Sequence, residues 1–104
     1  MILIVPHHKT RKEAIDLIAA DDELFDGAAG GSVEIVEQRK VWRGSSMAFS
    51  FVGRVGFISV PVSGTLRVDD ENVTVRSELP AMVKNFVGEE KVAAAIEKQL
   101  RRVL

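Results

Sequence analysis

The sequence predicts an α+β fold: a two-layer domain with a mainly antiparallel five-stranded sheet, element order β-α-β-β-β-β-α, and N- and C-terminal helices packed on it. Three observations point there. From Ser46 to Leu79 apolar and polar residues alternate through three segments separated by turn signals, the mark of half-buried strands in a meander. Thr10-Arg11-Lys12-Glu13 has capping-box spacing and is followed by apolar residues three and four apart. Val92, Ile96, Leu100 and Val103 recur at helical spacing near the end of the chain.

Taken in order, Ile2 to Pro6 is apolar on both faces, as expected of a strand covered on both sides or lying in the middle of a sheet. Thr10 should cap the first helix, whose stripe is Ala14, Ile15, Leu17, Ile18, Leu24 and Phe25, with Gly27 or Gly30-Gly31 ending it. Val33 to Trp42 is strand-like but changes phase, which a bulge near Glu37 to Arg39 reconciles. Arg43-Gly44-Ser45 reads as a hairpin loop. Further turns are expected around Gly53 to Gly56 and at Asp69-Asp70-Glu71-Asn72, where Asn72 tolerates positive φ.

On the meander face lie Met47, Phe49 and Phe51, then Ile58, Val60, Val62, Leu66 and Val68, then Val73, Val75 and Leu79. The second to fifth strands should be sequential neighbours. Pro80 fits the first turn of a short helix with Met82, Val83, Phe86 and Val87 on its apolar side, and Gly88 separates it from the last helix. That last helix begins with Glu89 and Glu90 and ends with Lys98, Arg101 and Arg102, which suits its dipole. Its stripe should pack on the Met47, Phe49, Phe51, Ile58, Val60 and Leu66 face.

The 104 residues are expected to form a single domain, 1–104. With 46% hydrophobic residues, 28% charged residues and a net charge of −1, the chain suits a globular core. Fourteen Lys and Arg against fifteen Asp and Glu argue against nucleic acid, whose binders carry a basic excess over one face. The absence of cysteine excludes disulfides, thiol catalysis and iron–sulfur clusters. Four apolar residues before Pro6 are too few for a signal segment or a membrane span, so a cytoplasmic location is expected.

No motif announces chemistry. His7 and His8 are adjacent on extended chain, point to opposite faces and cannot chelate one metal together; solvated strand-end histidines are expected. Asp69-Asp70-Glu71 lacks the ligand spacing of a calcium loop. Gly53-Arg54-Val55-Gly56 and Ala29-Gly30-Gly31-Ser32 do not join a strand to a helix as a phosphate loop does. The serines lack a nucleophile elbow. No catalytic residue, metal or cofactor is therefore expected, and the chain is read as not an enzyme. Trp42, Phe49, Phe51, Phe57, Met82 and Phe86 are the candidate ligand-binding residues, placed to line an apolar pocket between sheet and helices. Filling the space between layers is the ordinary role of such side chains.

The segment Val62-Ser63-Gly64-Thr65-Leu66-Arg67-Val68-Asp69-Asp70, with Asn72-Val73-Thr74-Val75 and Glu78-Leu79-Pro80-Ala81-Met82 after it, resembles the polyhydroxyalkanoic acid system family, small bacterial proteins named for genes near polyester-granule loci. The likeness continues through the C-terminal helices and, more weakly, to the N-terminal strand and helix start. The Gly53 to Pro61 segment is longer than in many members. The resemblance implies an association with polyhydroxyalkanoate storage and no catalytic residue. The function expected is that of a non-enzymatic accessory or binding protein, its partner a polyhydroxyalkanoate granule or a granule-associated protein, acting as a monomer or homodimer. The alternative is a small hydrophobic-ligand carrier with a cavity between sheet and C-terminal helix, a helix-grip-like arrangement.

Overall fold

The computed structural model describes residues 1–26, 33–81 and 88–104. Its elements are β1 (Ile2–Pro6), α1 (Arg11–Ala19), β2 (Glu34–Arg43), β3 (Ser46–Val55), β4 (Ile58–Val68), β5 (Asn72–Ser77) and α2 (Glu89–Val103). The five strands form one sheet in the order β1-β5-β4-β3-β2, every pair antiparallel. The α+β class and the β2 to β5 meander thus follow the sequence expectation. The segments expected to end the first helix at Gly27 or Gly30-Gly31, and to form a short helix with Met82, Val83, Phe86 and Val87, lie outside the described residues.

Two hairpins set the meander. Gly44-Ser45 joins β2 to β3 and Gly56-Phe57 joins β3 to β4, each with glycine at positive φ (60° and 58°) in the first loop position. A two-residue loop of the II′ kind needs that backbone, and only glycine adopts it without strain. The second turn is therefore shorter than the expected Gly53 to Gly56, and Gly53 lies inside β3 opposite Val60. The β4–β5 turn is held differently. Asp69 Oδ1 accepts from the Glu71 amide at 2.8 Å and the Asn72 amide at 2.6 Å, so a side chain closes the turn. Asn72 needs no positive φ and begins β5.

The bulge falls where the phase change predicts it. Pairing of β2 with β3 slips between Val36 and Arg39, and Glu37 sits there at φ 54°. Beyond the bulge Lys40 and Trp42 turn inward, opposite Phe49 and Met47, while Arg39, Val41 and Arg43 turn outward.

Thr10 caps α1 as its spacing predicts: its Oγ1 accepts from the Glu13 amide at 3.1 Å and donates to Glu13 Oε1 at 2.9 Å. Thr10→Ala should therefore destabilise the fold by about 1 kcal/mol in a denaturant titration, with an unchanged midpoint as the contrary result. The helix ends at Ala19, well before the expected glycines. Asp21 explains the stop, because its carboxylate accepts from the Glu23 amide at 3.0 Å and so offers the backbone a turn in place of another helical rung. Leu24 and Phe25 are buried from that turn, not from a helix, while Leu17 is left exposed.

Both helices belong to the inner layer. Val5, Ala14, Ile18, Leu24, Phe25, Met47, Phe49, Phe51, Val62, Leu66, Val68, Val73, Val75, Leu79, Val92, Ile96 and Leu100 form one continuous core. The stripe of α2 is buried, Val103 partly so, but the helix runs beside β1 and α1 and not over the expected β3–β4 face. Ile58 departs from expectation: it is 39% exposed, since the β3–β4 hairpin extends past the helical layer. A second departure is β1, which is an edge strand with Ile2 and Ile4 facing outward at 65% and 58% exposure. Apolar residues on both faces of a short strand do not distinguish burial on two sides from pairing at an edge.

Candidate functional site

The candidate aromatic pocket separates into parts. Phe49 and Phe51 lie on the inner face of β3 and stack on Phe25, with ring centroids 4.5 Å and 5.2 Å away. Trp42 is half-buried on edge strand β2 opposite Met47, packed against the core. Phe57 is at the tip of the β3–β4 hairpin, fully exposed, and does not join them. Met82 and Phe86 lie outside the described residues. Where the sequence suggests a ligand chamber, Phe49 and Phe51 stack on Phe25.

Polar groups of the inner layer are tied to structure. Asp21 links three elements: its carbonyl accepts from Lys40 Nζ of β2 at 2.6 Å and its Oδ2 from Gln99 of α2 at 3.1 Å. Every buried side-chain nitrogen or oxygen among the described residues has a hydrogen-bond partner. Among those residues no three His, Asp or Glu side chains gather closely enough to hold a metal ion, and no helix is long and apolar enough to cross a membrane.

His7 corrects the expectation of solvated histidines. It is buried, whereas His8 is exposed. The Lys9 amide donates to Nδ1 at 3.2 Å, so the ring proton sits on Nε2, which donates to the Asp69 carbonyl at 2.8 Å. With the His7 amide donating to the Glu71 carbonyl at 2.9 Å, the residue after β1 pins the β4–β5 turn. No spacing rule signals this, because the partners are sixty-two positions apart. His7→Phe should cost roughly 1–3 kcal/mol by chemical denaturation, leaving a carbonyl and an amide without their partner; an unperturbed midpoint would mean that water replaces the ring.

The two donated amides hold the Asp69 carboxyl below its ordinary pKa. A carboxyl lowered in the folded state adds stability above its unfolded pKa and loses it as pH falls through the folded one. Wild type and Asp69→Ala should accordingly differ most near neutrality and converge in acid. A stability gap that widens below the carboxylate range would contradict the assignment.

What remains is the outer face of the sheet, which no element among the described residues covers. Strand alternation places Arg39 and Arg43 of β2, Arg54 of β3, Arg67 of β4 and Arg76 of β5 on it, all exposed. Between them stand Ser46, Ser50, Ser59, Ser63, Thr65 and Thr74, with Ile2, Ile4, Val41, Val52 and Pro61 on the same side of the sheet, and no aromatic side chain among the described residues shares the face. Among the described residues the ion pairs are Met1 amino group–Glu89, Arg11–Asp70 and Arg101–Glu97, and none of the five guanidiniums takes part in one. Acidic side chains share the face as well: Glu34 stands opposite Arg54, and Glu37 and Glu78 border it near Arg39 and Arg76, all exposed. A depression of about 650 Å³ lies among Ser46, Thr65, Arg67, Asp69, Thr74 and Arg76.

Fold and face together define a two-layer α+β domain with an aromatic core on one side of its sheet and, on the other, an arginine-bearing face that no element among the described residues covers. No protein-family profile, curated protein or solved structure matches the chain.

Proposed function

We propose that this chain is a non-enzymatic binding module, an accessory protein that meets a macromolecular partner through the uncovered face of its sheet. The observation that carries this reading is the contrast between the two faces. The inner one is occupied by the Phe25, Phe49 and Phe51 stack, and the outer one presents guanidiniums and hydroxyls that no group among the described residues engages. A hydrophobic-ligand carrier needs those same aromatics to border open space, and their ring-to-ring contact favours the binding module. The resemblance to the polyhydroxyalkanoic acid system family supplies a setting, association with polyester granules in a bacterial cytoplasm.

The chain has no cysteine, so a single introduced thiol is a unique handle. Ala48→Cys lies in the middle of the outer face opposite Thr65, and Lys98→Cys on α2 is the control. With a bulky maleimide attached, the Ala48→Cys protein should lose co-sedimentation with polyhydroxyalkanoate granules while the Lys98→Cys protein keeps it. Equal sedimentation of both labelled proteins overturns the face as the working surface, and failure of the unlabelled protein to sediment removes the granule setting. A small molecule retained in native mass spectrometry would support the carrier instead.

A further inference from the structure

We infer that the protein pairs with a second copy of itself through the open edge of β1, joining two sheets into one across a two-fold axis. The inference holds whatever partner the outer face meets. It begins with the backbone of β1, which has β5 on one side and no described strand on the other. The Met1 amino group donates to the Ser77 carbonyl at 2.6 Å, the Ser77 amide to the Met1 carbonyl at 3.0 Å, and the His7 amide to the Glu71 carbonyl at 2.9 Å. Bonded and non-bonded pairs alternate along an antiparallel ladder, so Leu3 and Val5 also turn their amides and carbonyls toward β5. Ile2 and Ile4 therefore direct theirs to the open edge, where no described group meets them. Pro6 adds a carbonyl there but no N–H.

The two edges of the sheet are treated differently by the sequence. The opposite edge strand, β2, carries the bulge at Glu37 and the charged residues Glu34, Glu37, Arg39 and Arg43, devices that discourage pairing with another chain. From Ile2 to Pro6 there is no charge and no bulge, and Ile2 and Ile4 are exposed. On the inner side Leu3 is only partly buried.

Two-fold symmetry selects the second copy as the occupant and sets its register. The pleat requires outward side chains to meet outward ones, so the axis must pass through a residue and not between two. Centred on Leu3, the pairing sets Ile2 against Ile4 of the second copy and Ile4 against its Ile2, each pair exchanging both N–H···O=C bonds. Leu3 meets Leu3 of the second copy on the inner side. Centring on Ile4 instead would bring Pro6 opposite Ile2, where its donor is missing, and centring on Ile2 would leave Ile4 past the end of the other strand. The edge offers complete donor–acceptor sites at Ile2 and Ile4 alone, and self-pairing about Leu3 uses both; a longer foreign strand would run on past Pro6. Because the axis is perpendicular to the sheet, both outer faces end on the same side. A junction of one short strand is small, so association in the range of about 10–100 μM is expected.

Sedimentation velocity over rising concentration tests this. The wild type should pass from monomer to dimer, and Ile2→Lys/Ile4→Lys, which sets like charges directly opposite, should associate at least about tenfold more weakly. Ile2→Lys/Ile4→Glu should restore the dimer, since the Leu3-centred register then opposes unlike charges. Val41→Lys on β2 is the control and should associate as the wild type does. With no native cysteine, mild oxidation reports the register: Leu3→Cys should cross-link, its Cα atoms being about 4.5 Å apart across the axis, whereas Ile4→Cys, at about 8 Å, should not. Circular dichroism melting checks that each variant folds, and Ile4→Pro, which removes only an edge-facing donor, replaces the double lysine variant if that one does not. A wild type that stays monomeric to about 1 mM overturns the inference, as does a dimer that survives the β1 substitutions or is lost equally in Val41→Lys. Cross-linking of Ile4→Cys as readily as Leu3→Cys overturns the register and with it the two-fold pairing proposed.

Discussion

Gly64→Ala should destabilise the protein by roughly 3 kcal/mol, the upper end of what overpacking a core position costs. Gly64 sits in β4 opposite Phe49 of β3 and Ser77 of β5. A Cβ built there would meet the Arg76 carbonyl oxygen, would lie 2.7 Å from Phe49 Cζ and would come within 2.9 Å of Ser77 Cβ. The carbonyl belongs to the backbone of the adjacent strand and cannot swing aside. The ring is also confined, because it stacks on Phe25. A methyl group therefore has to separate β4 from β5 or push the aromatic stack toward the helices. Equilibrium urea unfolding measures the loss, and near-ultraviolet circular dichroism should weaken as the rings lose their fixed packing. A midpoint within error of wild type would show that the Phe49 ring has room to withdraw, contrary to the packed inner face described above.

Phe25→Ala should cost about 3–5 kcal/mol, the loss expected when a buried phenyl ring is removed and its neighbours collapse only in part. The ring is fully buried and meets both Phe49 and Phe51. It projects from a turn held by the Asp21 carboxylate and not from a helix, so removing it also frees the turn that covers β3. Phe57→Ala is the internal control. Its ring is fully exposed at the hairpin tip, and its loss should change stability by no more than about 0.5 kcal/mol. Comparable effects from the two substitutions would mean that Phe25 is not the keystone of the inner face. A total stability of about 5–15 kcal/mol for a domain of this size makes the Phe25 loss a large fraction of the whole.

Local rules carried far along this chain. The Thr10 cap, the alternation from Met47 to Val75, the bulge beside Glu37, the Gly44 hairpin and the buried stripe of α2 were all legible, because each depends on residues within a few positions of one another. Where the rules misjudged, a distant partner was responsible. His7 owes its burial to the Asp69 carbonyl. Phe25 reaches the core after its helix has ended. Alternation marked Phe49 as inward-facing, but not that its ring stacks on Phe25.

The open arginine face was illegible for a related reason. Its members come from four strands and are spaced through the chain from Arg39 to Arg76, so no window contains more than a few, and the net charge averages them with the acids of the helices. Alternation does assign each arginine to the polar side of its own strand. Only the register of β2, β3, β4 and β5 puts those sides on one surface.

By itself the sequence determined the α+β class, the helix start, the meander and the identity of most core residues, because periodicity and turn chemistry are properties of neighbouring residues. The tertiary structure alone decided that β1 closes the sheet at its edge beside β5, that Phe25, Phe49 and Phe51 stack on one another, and that five dispersed arginines share one face that no element among the described residues covers. Those outcomes depend on pairing between segments far apart in the chain, where the free energy of burial and strand hydrogen bonding selects among arrangements that local patterns leave equivalent.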